Sequence, residues 1–228
     1  MDSSKFNSLR YTKPLEEEVD PLTKIRVEKF IELIEPCGTL LDIGCWDGYI
    51  MREILKQKKA KNVKGVDNSK PAIALGRKNG FDISFASADK RLPFKNNRFD
   101  CVSATEIIEH LYDVNMFLKE VYRVLKPNGQ FILTTPNIAS LGARLSLLMG
   151  VAPWMIETEL TSQTSGHIRY YTFSSLHKLL SKYKFFLAES STDILSVTPK
   201  FYIKWNNNFP SFLKSFGRII IVKYKKIT

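Results

Sequence analysis

The sequence predicts an α/β fold: a doubly wound, mostly parallel sheet covered by helices on both faces. Three observations predict it. The stretch LLDIGCWDGYI, Leu40 to Ile50, is an apolar run that ends in an acid, breaks at glycines and resumes with helix-forming residues. Strand, turn and helix start in that order build a nucleotide pocket at the edge of a parallel sheet. A second apolar run ends the same way, in GVDNS at Gly65 to Ser69. From there, apolar runs alternate with helical patterns, which is how parallel strands joined by crossover helices read in sequence.

Element by element, Asp20 to Ile34 carries Leu22, Ile25, Val27, Phe30, Ile31 and Ile34 at helical spacing, and Pro36, Cys37 and Gly38 end it. Leu40 to Ile43 is the first strand and Tyr49 to Lys58 the helix after it. Asn62 to Val66 is the second strand. Ser69-Lys70-Pro71 opens a helix, with proline where helices accept it, and Asn79-Gly80 ends that helix. Ile83 to Ala86 and Phe99 to Ser103 are the third and fourth strands. Asn115 to Val124 is a helix closed by Lys126-Pro127-Asn128-Gly129, and Gln130 to Thr134 is the fifth strand. Ser174 to Tyr183 reads as a helix, Phe185 to Glu189 as a strand and Arg218 to Tyr224 as the last strand. Residues 1–228 form one domain, with an N-terminal helical segment over 1–35. Two insertions, 138–169 and 196–217, have the length of lids or substrate pockets.

Composition sets the outer bounds. A chain of 228 residues with 44% hydrophobic and 25% charged residues suits one globular domain with a proper core. No apolar run approaches the roughly 18 residues of a membrane span. The N-terminus, MDSSKFNSLRYTKPLEEEVD, lacks the apolar core of a signal peptide, so a cytoplasmic location is expected. Three scattered cysteines without a C-x-x-C pair argue against a disulfide framework or a zinc site, and no metal is expected. Cys45 and Cys101 read as small apolar fillers. The net charge of +11 would favour nucleic acid, an anionic membrane surface or phosphorylated substrates. Its lysines, however, are spread through Lys56 to Lys64, Lys178 to Lys184 and Lys200 to Lys226, as on solvated faces. The C-terminal third mixes them with Phe201, Tyr202, Trp205, Phe209, Phe212 and Phe216. That mixture suits a peripheral membrane contact and equally suits a packed helix and strand.

The acid before the first glycine decides what kind of pocket this is. A dinucleotide site uses G-x-G-x-x-G so that backbone N–H groups face a pyrophosphate. Here the order is Asp42, Gly44, Gly48, with Trp46 between them. A carboxylate repels a pyrophosphate and helps to hold an ammonium group. Asp67, ending the second strand, suits the paired hydroxyls of a ribose. A ligand with a cationic amino acid and a ribose is S-adenosylmethionine.

With these residues the chain resembles the class I S-adenosylmethionine-dependent methyltransferases, in the small-molecule branch that includes ubiquinone and menaquinone methyltransferases. The resemblance runs from about Leu40 to Asn137. It covers LLDIGCWDG, GVDNS, ASADKRLPFKNNRFDCVSATEIIEHL and EVYRVLKPNGQFILTTPN, in the family's order and spacing. One departure is Trp46, where the family usually has a third glycine. The resemblance implies a Rossmann-like, seven-stranded sheet with an antiparallel edge strand. It implies S-adenosylmethionine as cofactor and S-adenosylhomocysteine as its product. The loop Asp42, Gly44, Cys45, Trp46 and Gly48 then holds the methionine portion. Asp67 takes the ribose and Asn68 lines the adenine. Ala88, Asp89 and Lys90 follow the third strand, with Asp89 toward the adenine amino group. Thr105 and Glu106 lie near the amino-acid and sulfonium end. Each acid also has a plainer reading as a helix cap or turn residue, since Asp is common where strands pass to helices.

Methyl transfer from a sulfonium is an in-line displacement, so the protein mainly aligns the acceptor and removes a proton where needed, with no metal required. Two histidines are candidate bases. His110 in TEIIEHL follows the fourth strand, and a helix-cap or supporting role fits it equally well. His167 in GHIRYYT lies where the first insertion returns, and that segment could simply anchor the lid through Tyr170 and Tyr171. His177, inside a helix, reads as structural, and Arg169 is a candidate for an acidic substrate. The Asn/Asp-Pro-Pro-aromatic motif of base-amine methylation is absent, and so is a Pro-Cys nucleophile, so a nucleic-acid substrate is not expected. Ser140 to Gly150, continued by Val151 to Met155, is either a lid packed on the domain or a wall for an apolar or lipid-linked acceptor. A small-molecule acceptor methylated at oxygen is the expectation. Two other classes stand beside it: a cofactor-binding regulator or partner subunit without catalysis, and a nicotinamide oxidoreductase, for which the glycine fingerprint is missing.

Overall fold

A computed structural model of the chain describes residues 19–156, 166–198, 201–204 and 212–227. The strands are β1 (Cys37–Ile43), β2 (Ala60–Asp67), β3 (Ile83–Phe85), β4 (Phe99–Thr105), β5 (Leu125–Pro136), β6 (Phe185–Ser191), β7 (Ile194–Thr198), β8 (Phe201–Lys204) and β9 (Ile219–Lys226). Seven of them form one sheet in the order β3-β2-β1-β4-β5-β9-β6, and β7 and β8 form a separate hairpin. Strands β1 to β5 run parallel, and β9 runs antiparallel to both β5 and β6.

The fold class is therefore the one the sequence predicts, with one difference. The antiparallel strand lies one place in from the edge, and β6 is the edge. The burial of the two strands gives the reason. Seven of the eight residues of β9 are buried, whereas β6 leaves Phe186, Glu189 and Ser190 partly or fully exposed. A nearly continuous run such as IIIVKY belongs inside a sheet covered on both faces. Strand β5 also starts earlier than predicted. Leu125 already pairs with Phe99, and the register then shifts before Cys101 meets Gln130, so Lys126 to Gly129 form an irregularity within the strand.

Helix α1 (Pro21–Glu32) starts where Asp20 accepts N–H groups from Leu22 and Thr23 at 2.8 and 3.1 Å, with proline in the first turn. Helices α2 (Tyr49–Lys56), α3 (Lys70–Lys78), α4 (Val114–Val124), α5 (Leu141–Leu148) and α6 (Phe173–Ser181) follow. Successive strand residues point to opposite faces, and the core divides accordingly. Leu41, Val102 and Phe131 join Phe117, Val121, Leu176 and Leu180 of α4 and α6 on one face. Leu40, Cys101 and Ile132 join Phe30, Ile31 and Ile54 of α1 and α2 on the other. Cys101 is thus a core filler, as expected.

The two insertions meet. A Cβ on Gly142 of α5 would lie 2.7 Å from the carbonyl oxygen of Val197 in β7, so only glycine allows this helix–strand approach. The Arg144 guanidinium sits over the Phe216 ring at 4.4 Å. Only Ala143 of α5 is buried, while Leu148 is 83% and Trp154 55% exposed, beside exposed Leu147, Met149 and Val151. The C-terminal lysines are less solvated than predicted. Lys223 is buried between Glu35 and Glu189, Lys225 pairs with Glu35, and Lys226 donates to Asn97 Oδ1 and the Leu125 carbonyl. Residues 157–165 of the first insertion, and Trp205 and Phe209 of the second, lie outside the described residues. Among the described residues, no helix is long and apolar enough to cross a membrane.

Candidate active site

Strand order reverses between β1 and β4, and a ligand crevice opens beyond the carboxyl ends of the parallel strands at such a point. Asp42, Asp67 and Thr105 all stand at or next to those ends. The loop after β1 is built on left-handed backbone: Gly44 has φ +73°, Trp46 +49° and Gly48 +87°. A side chain at Gly44 would meet Ile107 Cδ1 at 2.1 Å, and one at Gly48 would meet the Phe81 ring at 2.3 Å. Gly48 then caps α2.

Asp67 holds this loop. Its Oδ2 accepts the N–H of Trp46 at 2.9 Å, and Oδ1 accepts that of Ser69 at 2.7 Å. The bulky residue in the family's glycine position is thus tied by its backbone. Burial raises the Asp67 pKa, opposed by N–H bonds from Ser69, Trp46 and Asn68. A carboxylate has about four lone-pair directions, so these accepted N–H bonds still leave room for a donor such as a ribose hydroxyl.

Asp42 is 1% exposed. Ser103 on β4 donates its hydroxyl to Oδ1 at 2.6 Å, and Oδ2 is buried with no hydrogen-bond partner among the described residues. Burial pushes its pKa up to about 7, and the neighbouring Asp67 adds to the shift. The hydroxyl of Thr105, also buried, likewise has no partner among the described residues. Buried polar oxygens normally have partners, so a ligand carrying an ammonium group fits this place. This set of acceptors matches the ammonium and ribose hydroxyls of S-adenosylmethionine.

The other predicted contacts take these positions. Cys45 packs its side chain with Met51, Ile73 and Ile83, and its N–H donates to the Val66 carbonyl, so it is a core filler as well as a loop residue. Asn68 is half-buried beside Asp67. Ala88, Asp89 and Lys90 form the turn after β3, the neighbour of β2. The Ser87 hydroxyl donates to Asp89 at 2.6 Å, and Lys90 points to solvent. Glu106 adopts φ +54° and is committed to other partners: Arg26 of α1 at 3.0 Å and the Thr134 hydroxyl at 2.8 Å.

His110 ends a short 3-10 turn over Ile108–His110, and the structure brings His167 to it, with ring centroids 4.9 Å apart. His110 Nδ1 lies 3.2 Å from the Gly166 carbonyl and His167 Nδ1 3.4 Å from that of Met155. Beside them stands Glu109, with one ligand atom of each of the three within 4.8 Å of the others; sequence reasoning missed it, and its place in TEIIEHL beside His110 was the only signal. Glu109 is 1% exposed, and its Oε2 accepts from the Thr135 hydroxyl at 3.0 Å. Burial and the charge of Glu106 hold its carboxyl well above the usual range. Arg169 donates to the carbonyls of Leu111 and Tyr112 at 3.0 and 2.7 Å, so its guanidinium braces the backbone. It also lines a cleft of about 460 Å³ with Tyr112, Val114, Asn115, Ile168, Tyr170, Tyr171 and Leu179, none of which is a predicted cofactor contact. His177 stacks on Tyr224 and bonds its hydroxyl at 3.2 Å, the structural role expected.

Residues 41–133 match the family of the methyltransferase domain. The chain is 36% identical over 103 residues to the ubiquinone biosynthesis O-methyltransferase of Bradyrhizobium diazoefficiens, a match covering 43% of this chain and 40% of that protein. It is 30% identical over 151 residues to the protein of that name from Pseudomonas entomophila, covering 60% and 62%. It is 37% identical over 116 residues to the cycloartenol-C-24-methyltransferase of Arabidopsis thaliana, covering 46% and 34%. These matches span less than two thirds of each relative. In fold, the chain is similar to the S-adenosylmethionine-dependent methyltransferase of Mesorhizobium loti, with a TM-score of 0.63 at 16% identity over 89% of this chain and 98% of that one. A Methanosarcina mazei methyltransferase of the same description gives 0.62 at 18% identity, over 92% and 98%.

Proposed function

We propose, from the match of residues 41–133 to the methyltransferase domain, that this chain is an S-adenosylmethionine-dependent methyltransferase that transfers a methyl group to an oxygen of a small molecule. One observation carries the reading: two buried oxygens, Asp42 Oδ2 and Thr105 Oγ1, have no partner among the described residues at the strand ends where a ligand crevice opens. S-adenosylmethionine, when bound, supplies an activated methyl group, which leaves sulfur with its bonding electron pair staying behind as the bond to the acceptor oxygen forms.

The protein's own part is to bind and align. Asp42 and Thr105 accept from the ammonium end, Asp67 from the ribose hydroxyls, and Asp89 from the adenine amino group. The loop at Gly44, Trp46 and Gly48, clamped by Asp67, fixes where the cofactor lies. His110, His167 and Glu109 then face the acceptor, and the imidazole of His110 or His167 takes the proton that the hydroxyl loses as its oxygen bonds to the methyl carbon. Orientation of this kind supplies much of the rate in a displacement that needs no covalent enzyme intermediate.

Oxygen as the acceptor atom is supported by this cluster of proton-handling groups and by relatives named for O-methyl transfer. An apolar or lipid-linked acceptor is supported by the exposed Leu147, Leu148, Met149, Val151 and Trp154 of the first insertion. The test incubates the purified chain with methyl-labelled donor and hydroxylated acceptors, including phenols with and without isoprenoid tails. Label in a methyl ether is the expected result. Donor binding without transfer to any acceptor would favour a cofactor-binding regulator, and label on carbon or nitrogen would overturn the oxygen assignment.

A further inference from the structure

The cleft of about 460 Å³ lies between the start of α4, the end of the first insertion and α6, and among the described residues no carboxylate lines it. We propose that it holds an anionic group of the methyl acceptor, a carboxylate or a phosphate, with Arg169, Asn115 and Tyr171 as its donors.

Four observations support it. First, the polar side chains of the lining have donors to spare. Arg169 gives Nε to the Leu111 carbonyl and Nη2 to that of Tyr112, and Nη1 has no partner among the described residues. Those two bonds fix the guanidinium plane, so the remaining N–H groups are presented at a set angle. Asn115 Oδ1 accepts the Tyr183 hydroxyl at 2.6 Å, which leaves the amide nitrogen to donate. An uncharged polyol needs acceptors as well as donors, whereas an oxyanion needs donors alone.

Second, Tyr171 is 7% exposed, and its hydroxyl bonds no described residue. Burial pushes the phenol up to about 12, so at neutral pH it keeps its proton and donates. A covered hydroxyl left so is costly, and the space this residue lines is the cleft.

Third, the first two residues of α4, Val114 and Asn115, belong to the lining. Asp113 caps the helix by turning its carboxylate to the Met116 N–H at 2.9 Å, and its carbonyl accepts the Phe117 N–H. The N–H groups of Val114 and Asn115 have no partner among the described residues, and an anion suits such a helix start.

Fourth, the cleft adjoins the groups that face the acceptor's hydroxyl. The N–H groups of Ile168 and Arg169 donate to the Glu109 carbonyl at 3.0 and 3.1 Å, and Tyr112 follows His110 by two residues. The Tyr171 phenol feels the charges of both Arg169 and Glu109, so it stands between cleft and cluster. Anion binding rests on the lining alone. Its assignment to the acceptor rests on the methyl-transfer reading: an acceptor held by its anion in the cleft has its hydroxyl oriented toward His110 and His167.

Calorimetric titration of the full chain at low salt with phenyl phosphate, benzoate and phenol tests the site. At least one of the two anions should bind about tenfold or more tightly than phenol, and which one does tells phosphate from carboxylate. Arg169→Gln and Asn115→Asp should each weaken that anion at least about tenfold, and Tyr171→Phe severalfold, with phenol binding unchanged. Tyr171→Phe removes a hydroxyl that no described group uses, and Asn115→Asp keeps the acceptor for Tyr183. These two therefore carry the test should the Arg169 variant disturb the backbone it braces. Neither anion binding more tightly than phenol would overturn the proposal. So would anion affinity unchanged in Asn115→Asp and Tyr171→Phe. In the labelled assay, 4-hydroxybenzoate or 4-hydroxyphenyl phosphate should show a higher kcat/KM than phenol, a preference lost in Asn115→Asp. Equal kcat/KM for charged and neutral acceptors would overturn the acceptor assignment and leave the anion site. Anion binding with no transfer to any acceptor would uphold the site and count against the methyl-transfer reading alone.

Discussion

The Ser103 hydroxyl on β4 donates to Asp42 Oδ1 on β1 at 2.6 Å, the one hydrogen bond given among the described residues to a carboxyl group that is otherwise sealed from solvent. Burial raises its pKa from 3.8 to about 7. Between those values the folded protein keeps a proton that the unfolded chain has released. As far as this group is concerned, stability is therefore highest near and below pH 4, falls as the pH rises, and levels off above about pH 7. The full effect is on the order of 4 kcal/mol. Asp42→Asn should flatten this slope in thermal melts of the ligand-free protein across that range. A difference between wild type and variant that does not change with pH would show that Asp42 is not so shifted.

The same titration bears on binding. Ionised Asp42 is the form that attracts an ammonium group, so S-adenosylhomocysteine affinity should rise as the pH passes through about 7. Asp42→Asn should weaken it by about 1.5–3 kcal/mol, the scale of a hydrogen bond to a charged group, and abolish the pH dependence. Calorimetry at several pH values reads both effects.

Asp67 has two roles in this structure, as loop clamp and as ribose acceptor. Asp67→Ala should weaken cofactor binding by about 2–3 kcal/mol and also lower the melting temperature of the free protein, because the Trp46 and Ser69 N–H groups lose their acceptor. Unchanged affinity in the folded variant would remove Asp67 from the ribose site.

Gly44 carries φ +73° with Ile107 filling the space a side chain would need. Gly44→Ala should cost about 1–3 kcal/mol in denaturant unfolding, from left-handed strain and overpacking together. Adding Ile107→Ala should relieve only the steric part. Complete rescue by the second change would mean that backbone strain contributes nothing.

Arg26 ties the N-terminal helix to Glu106 at 3.0 Å, with both side chains largely covered. Arg26→Ala should cost about 1–3 kcal/mol, and a double-mutant cycle with Glu106→Gln should show coupling of comparable size. Additive effects would mean that the pair is an incidental contact.

The sequence made legible what is local. LLDIGCWDGYI reads directly as strand, glycine turn and helix, and the acids at the strand ends fall where the crevice opens, because strand length and turn chemistry are set by neighbours along the chain. What sequence could not give is pairing across distance. The place of β9 inside the sheet depends on which edge it meets. Ser103 beneath Asp42, Arg26 on Glu106 and the carbonyl partners of Arg169 come from segments far apart in sequence. Glu109 escaped notice because its burial is a tertiary fact. The meeting of His110 with His167 depends on how the insertion returns.

The most direct test of the central claim is calorimetric titration of the purified protein with S-adenosylmethionine, S-adenosylhomocysteine and NAD. Micromolar binding of both sulfur ligands and none of NAD, with binding weakened in Asp67→Ala, is the predicted result. A folded protein that binds neither sulfur ligand, or that binds NAD in their place, would contradict it.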